Sequence, residues 1–153
     1  MSIATSRGQA DLRRAADGSI KEALQQIEEL LVIDPDRGPD AAFFATLGNE
    51  FRFLHARIRT QHAADCLRTP DGPQLLPTER IEEWDRLCEE HAHILGMTDW
   101  LIRNVDSIPD QGTEDKDVFI LRVKELLAVL RRHDAEEDRL YALAFWKDTG
   151  GES

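Results

Sequence analysis

A histidine and a glutamate stand four residues apart in the sequence, at His133 and Glu137. In a helix this spacing places both side chains on one face, about 6 Å apart along the axis. The apolar residues that fall on the same face are Leu126, Val129, Leu130, Leu140, Tyr141 and Ala144. Because a buried charge is costly unless it is paired or bound to metal, we expect either a metal-ligand pair or a His–Glu hydrogen bond here.

Three further histidines share apolar helical faces with core residues, and they are His55, His62 and His91. A single histidine on such a face is usually a hydrogen-bonded core residue, but four on three helices favour metal binding. Mid-helix positions meet at one level in an antiparallel bundle, so we expect His55, His91 and His133 to converge. His62 lies about 10 Å beyond His55 along its helix. It is level with Glu137 instead if the second and fourth helices run in the same direction.

Four amphipathic segments must position these residues, and turn-forming residues separate them. The first begins at a capping box, Ser19 to Glu22, and ends near Ile33. The others are predicted at about 40–67, from Thr78 to Val105, and at about 114–147. No run is typical of a strand. Short connections between long helices favour antiparallel neighbours, so the sequence predicts an all-α, four-helix up-down-up-down bundle.

The chain has 153 residues, which suits one domain with a substantial core. We expect residues 1–18 to form a flexible N-terminal segment, 19–148 to form the bundle, and 149–153 to form a flexible tail. The formal net charge of −11 argues against nucleic acid or an anionic membrane as a partner. No run of about 18 apolar residues and no apolar leader is present, so we expect a cytoplasmic protein without a membrane partner.

The two cysteines, Cys66 and Cys88, fall within helical patterns. For a cytoplasmic protein we expect two reduced thiols, with a disulfide as the alternative. Their spacing forms no zinc motif, and without facing cysteine pairs we expect no structural zinc site. Trp100 points away from the apolar face of its helix. It either covers the N-terminal segment or marks a homodimer contact.

Few residue patterns in the sequence suit catalysis. There is no Ser/His/Asp order and no Gly-x-x-x-x-Gly-Lys loop. The carboxylates expected to point inward are Glu136, Glu137 and Asp65, too few for a ferritin-like oxidase. We therefore expect a binding protein rather than an enzyme. Tyr141 follows Glu137 by one turn, and it either hydrogen-bonds a ligand carboxylate or covers the end of the core.

Two segments together resemble the hemerythrin-like (HHE cation-binding) domain family. The first is 89–95, Glu-Glu-His-Ala-His-Ile-Leu, and the second is 133–141, His-Asp-Ala-Glu-Glu-Asp-Arg-Leu-Tyr. In that family one helix gives a single His after a Glu, and the next gives His-x-x-x-Glu with a second acid and a Leu-aromatic step. The resemblance covers about residues 80–146.

The resemblance implies a four-helix bundle that holds a non-haem di-iron centre and binds, senses or stores dioxygen or iron. It implies His91, His133 and Glu137 as ligands, with Glu137 as a carboxylate bridge. The sequence departs from the family on the other helices. The first helix offers no ligand, and His55 and His62 are spaced by seven where the family has His-x-x-x-His. A metal-free bundle that acts as a protein-interaction module is the alternative.

Overall fold

The structure, a computed structural model, describes residues 20–32, 38–66 and 78–148, with a few side chains near the ends of these ranges left out. These residues form four α-helices, and no strand occurs among them. α1 covers residues 20–31, α2 Ala41–Cys66, α3 Thr78–Val105 and α4 Thr113–Asp148. The predicted all-α four-helix bundle is thus confirmed.

The predicted helix ends agree with these bounds to within one or two residues. The expected capping box at Ser19, the segment 1–18 and the tail 149–153 lie outside the described residues. Asp40 caps α2, because its Oδ1 accepts a hydrogen bond of 2.8 Å from the backbone N–H of Phe43. The predicted loop before α4 contains a short 3₁₀ helix, Ile108–Asp110, that the sequence analysis did not foresee.

Within the part of the chain that the structure describes, no helix has the length and apolar character needed to cross a membrane.

Contacts between side chains define the relative directions of neighbouring helices. Cys66 at the end of α2 joins Cys88 near the start of α3, whereas Arg52 pairs with Asp106 beyond the other end of α3. α2 and α3 therefore run antiparallel. α3 and α4 are also antiparallel, because Glu83 pairs with Arg139 and Glu90 with His133. The same holds for α1 and α4, because Lys21 pairs with Asp138 and Glu28 with Arg131.

Two apolar clusters fill the interior. The larger one contains residues of all four helices, among them Ile27, Phe51, Leu54, Ile58, Ile94, Phe119, Leu126 and Leu130. The smaller one consists of Trp84, Leu87 and Leu140. Along α4, His133 and Glu137 lie between Leu130 of the larger cluster and Leu140 of the smaller one. The polar side chains thus interrupt an otherwise apolar core.

Gly48 lets α2 approach α3 closely. A Cβ atom at this position would lie 3.0 Å from Cγ1 of the buried Val105, whereas a Cβ at Gly96 would meet nothing within 4 Å. We expect Gly48→Ala to lower the free energy of unfolding by about 1 kcal/mol, because overpacking exceeds the gain in helix propensity. Gly96→Ala should raise it by up to about 1 kcal/mol.

Urea denaturation of both variants, followed by circular dichroism, measures these changes. Combining Gly48→Ala with Val105→Ala should remove the clash and leave the two substitutions non-additive. Equal stabilisation by the two alanines would contradict a close helix contact at Gly48.

Candidate metal centre

Three potential metal ligands meet in the core, and we call them the buried triad: His91 of α3 with His133 and Glu137 of α4. Their nitrogen and oxygen donor atoms all lie within 4.8 Å of one another. Glu137 Oε1 is 2.7 Å from His91 Nε2 and 2.9 Å from His133 Nε2. Each of the three side chains is at least 95 % buried, with relative exposures of 1, 4 and 1 %.

The Nε2 atom of His91 is a buried nitrogen without a hydrogen-bond partner among the described residues. Glu137 Oε1 lies 2.7 Å from it and forms an ion-pair contact. Ligands about 2.1 Å from a metal lie about 3.0 Å apart at right angles and about 3.4 Å apart at tetrahedral angles. The two distances from Glu137 Oε1 to the histidine nitrogens are therefore close to the separation of ligands that share one ion.

Glu90 fixes the orientation of the His133 ring. Its Oε1 lies 3.0 Å from His133 Nδ1, and Glu137 Oε1 lies 2.9 Å from Nε2, so both ring nitrogens face carboxylates. A metal ion at Nε2 would leave the ring proton on Nδ1, where Glu90 can accept it. A carboxylate in this position is the usual partner of a metal-binding histidine, because it sets the tautomer and raises the basicity of the other nitrogen. Glu90 itself is about one-quarter exposed and also lies near Arg132.

Gln61 of α2 engages the second oxygen of Glu137. The buried amide of Gln61 donates a hydrogen bond of 2.7 Å to Glu137 Oε2. Glu137 therefore presents Oε1 to the two histidines and Oε2 to an amide. The hydrogen bond occupies one of the two lone pairs of Oε2.

Burial and neighbouring charges act in opposite directions on the titration of these groups. Burial alone raises the pKa of Glu137, but His133 and His91 outweigh it and lower the pKa to about 2. Burial also lowers the pKa of His133, while the carboxylates of Glu137 and Glu90 outweigh that effect and raise it. Glu137 is thus a carboxylate at neutral pH, held by its histidine partners.

The histidine that α2 was expected to contribute, His55, does not lie beside the buried triad. His55 is only half-buried, and its ring belongs to neither group of converging donor atoms among the described residues. The prediction that His55 meets His91 and His133 is therefore wrong. α2 reaches their level six residues later, about 9 Å along its axis, through Gln61 and His62.

His62 lies beside His91 but on the far side of the ring from Glu137. The Nδ1 atoms of His62 and His91 are 3.1 Å apart, and the two rings are nearly perpendicular. Burial, and then the charge of His91, lowers the pKa of His62. Donor atoms of His62, Cys66 and His91 form a second convergent group, also within 4.8 Å of one another.

Cys66 and Cys88 form a disulfide with their Cα atoms 5.6 Å apart. This corrects the expectation of two reduced thiols, and also the view that the cysteines do not face each other. His62 and Cys66 are four residues apart on α2, and Cys88 and His91 are three apart on α3. These spacings place one His and one Cys on a common face of each helix. The sequence thus contains a signal for the pairing of these two faces.

Other predicted residues lie away from the buried triad. Glu136 is exposed and pairs with Arg139 at 3.0 Å, so its expected inward orientation is wrong. His93 is exposed. Trp100 is partly exposed and stacks on Phe119 of α4, an arrangement that the sequence analysis did not foresee. The side chains of Tyr141 and Asp65 lie outside the described residues.

Sequence reasoning missed the roles of Gln61 and Glu90. Neither residue type is diagnostic at an isolated position, and both act through contacts between different helices. For Glu90 a weak signal existed, since a carboxylate directly before a candidate ligand histidine can reach a neighbouring helix.

Comparison of the chain with protein-family models, with curated proteins and with solved structures gives no match.

Replacing Gln61 with leucine would remove the buried hydrogen bond of 2.7 Å to Glu137 Oε2. We expect Gln61→Leu to lower the free energy of unfolding of the metal-free protein by about 1–3 kcal/mol, the cost of losing a buried hydrogen bond to a charged group. Gln25→Leu, on the exposed face of α1, is the matched control and should change stability by less than about 0.5 kcal/mol. Chemical denaturation compares the two variants, and equal effects would contradict the importance of the amide.

Proposed function

We propose that this chain is a non-haem iron protein that holds one Fe²⁺ at the buried triad and binds dioxygen there. The observation that carries the proposal is the convergence of two imidazole nitrogens and one carboxylate oxygen on a common point. Two histidines and one carboxylate are the donor set of mononuclear non-haem Fe²⁺ sites, and this set leaves coordination positions open for a small ligand. The resemblance to hemerythrin-like domains supports the same metal and the same ligand class.

One ion fits these residues better than two. Gln61 donates to Glu137 Oε2 at 2.7 Å, so Oε1 remains for a metal. A second ion would need further ligands, and the other convergent group contains a sulfur and the Nδ1 atoms on the opposite side of His91. We therefore propose a mononuclear centre, in contrast to the di-iron centre that the resemblance implies.

The protein residues prepare this centre in three ways. Glu90 holds the proton of His133 on Nδ1, so that Nε2 offers a lone pair. Gln61 fixes the rotation of the Glu137 carboxylate. The apolar clusters on either side limit the access of water, which strengthens electrostatic interactions at the site. When bound, ferrous iron would supply reversible coordination of dioxygen. Among the residues that the structure describes we identify no general acid or nucleophile beside it, and we propose binding or sensing rather than turnover.

Anaerobic reconstitution of the disulfide-bonded protein with Fe²⁺ tests the proposal. We expect about one iron per chain in the wild type, and loss of that iron in His133→Ala and Glu137→Ala, because each removes one of three ligands. His93→Ala replaces an exposed histidine near His91 and is the matched control. Iron is measured by elemental analysis, and nitric oxide, which substitutes for dioxygen, should give an EPR signal in wild type and control only.

Three outcomes would overturn the proposal. Equal iron content in wild type and the two triad variants would place the metal elsewhere. Substoichiometric iron in all of them would favour the metal-free bundle that acts as an interaction module. Two irons per chain, both lost in Glu137→Ala, would instead restore the di-iron centre.

Glu90 gives a separate test, because it acts on the metal only through His133. We expect Glu90→Ala to weaken Fe²⁺ binding by about 10–100-fold, the usual effect of removing the partner of a ligand histidine. Glu89→Ala, at an exposed position one residue earlier, should leave the affinity unchanged. Competition with a coloured chelator measures both affinities. An unchanged affinity in Glu90→Ala would contradict the proposed orientation of His133.

A further inference from the structure

A second group of ligand-type side chains lies next to the buried triad, and we call it the cysteine cluster: His62, Cys66, Cys88 and His91. Cys66 Sγ lies 3.3 Å from His91 Nδ1, and His62 Nδ1 lies 3.1 Å from the same atom. Cys88 is bonded to Cys66 through its sulfur. The donor atoms of His62, Cys66 and His91 therefore converge between α2 and α3, and the sulfur of Cys88 lies one bond beyond that of Cys66.

This set of donor atoms suits zinc. Two thiolates and two imidazoles in a tetrahedral arrangement are typical of Zn²⁺ sites. Each helix supplies one His and one Cys at a spacing of three or four residues, so all four side chains start from facing positions. The disulfide keeps the two sulfurs bonded to each other, and it must open before they can bind a metal.

We propose that reduction of the Cys66–Cys88 disulfide creates a Zn²⁺ site, in which both thiolates and the Nδ1 atoms of His62 and His91 are the ligands. In the first step a dithiol reductant gives two electrons and two protons to the disulfide, and is itself oxidised to a disulfide. In the second step Zn²⁺ replaces one proton on each thiol, and two protons are released to solvent.

The geometry favours this conversion. Zn–S bonds of about 2.3 Å place two thiolates about 3.8 Å apart in a tetrahedron, so the sulfurs need to separate by side-chain rotation. Cys66 and Cys88 are only partly buried, so a reductant can reach them. His91, in contrast, is 1 % exposed and has its ring fixed between the two groups, which preforms half of the nitrogen ligation. In a reducing compartment such a disulfide opens and closes with the redox state.

Zinc and cobalt titrations of the oxidised and the reduced protein test the proposal. We expect the reduced chain to bind Zn²⁺ through two thiolates, which the disulfide-bonded chain cannot offer. Co²⁺, used as a coloured substitute, should give sulfur-to-cobalt charge-transfer absorption in the reduced protein alone. Cys66→Ser combined with Cys88→Ser should abolish that absorption, and His62→Ala should weaken binding by at least about tenfold.

The variants separate this site from the iron site. Glu137→Gln keeps all four members of the cysteine cluster, so its cobalt–thiolate absorption should persist even if its iron binding is lost. His55→Ala, on the same helix as His62 but outside both groups, should bind cobalt like the wild type. Failure of iron binding in the oxidised protein would then leave the zinc result unaffected, and the reverse also holds.

Three results would overturn the proposal. The first is equal zinc binding by the reduced wild type and the double serine variant, which means adventitious binding to the acidic surface. The second is a reduced protein that binds Co²⁺ but lacks the sulfur-to-cobalt charge-transfer absorption. The third applies if reduction unfolds the chain, and it is the absence of any gain in helicity, measured by circular dichroism, when zinc is added to the reduced protein. A gain in helicity would support the site, because zinc binding would then drive folding.

Discussion

The buried carboxylate of Glu137 is the constraint on which this bundle depends. An ionised carboxylate in an apolar core is unstable unless several partners compensate its charge. Here two histidines lie at 2.7 and 2.9 Å from one oxygen, and the amide of Gln61 lies at 2.7 Å from the other. These partners come from α2, α3 and α4. Satisfying one charge therefore fixes how three helices align along the bundle axis, a function that apolar contacts alone fulfil poorly.

Local patterns in the sequence predicted much of the fold. The helix bounds followed from apolar periodicity and from breakers such as Pro39 and Pro109, and the His133–Glu137 pair followed from spacing within one helix. Both depend on residues near one another in the chain. The inward position of His91 was predicted in the same way and is confirmed by its burial. The family resemblance, by contrast, remains a prediction.

The errors at His55 and at the two cysteines concern alignment between helices, which no local pattern encodes. The argument that mid-helix residues meet at one level selected His55, but α2 contributes to the site near its C-terminal end, through Gln61. The disulfide between Cys66 and Cys88 depends on the same alignment, so it could not be predicted from either helix alone. Spacings of three and four residues had placed a His and a Cys on one face of each helix. Only the three-dimensional structure shows that the two faces meet.

His91 connects the two groups of donor atoms. Its Nε2 faces Glu137 and its Nδ1 faces His62 and Cys66. A neutral imidazole carries one proton, so one nitrogen at a time offers a lone pair. A metal at the buried triad thus needs the proton on Nδ1, where a neighbouring nitrogen or sulfur can accept it. A metal at the cysteine cluster needs the proton on Nε2, where Glu137 can accept it. Because one ring serves both groups, the redox state of the two cysteines and the occupancy of the buried triad are chemically linked.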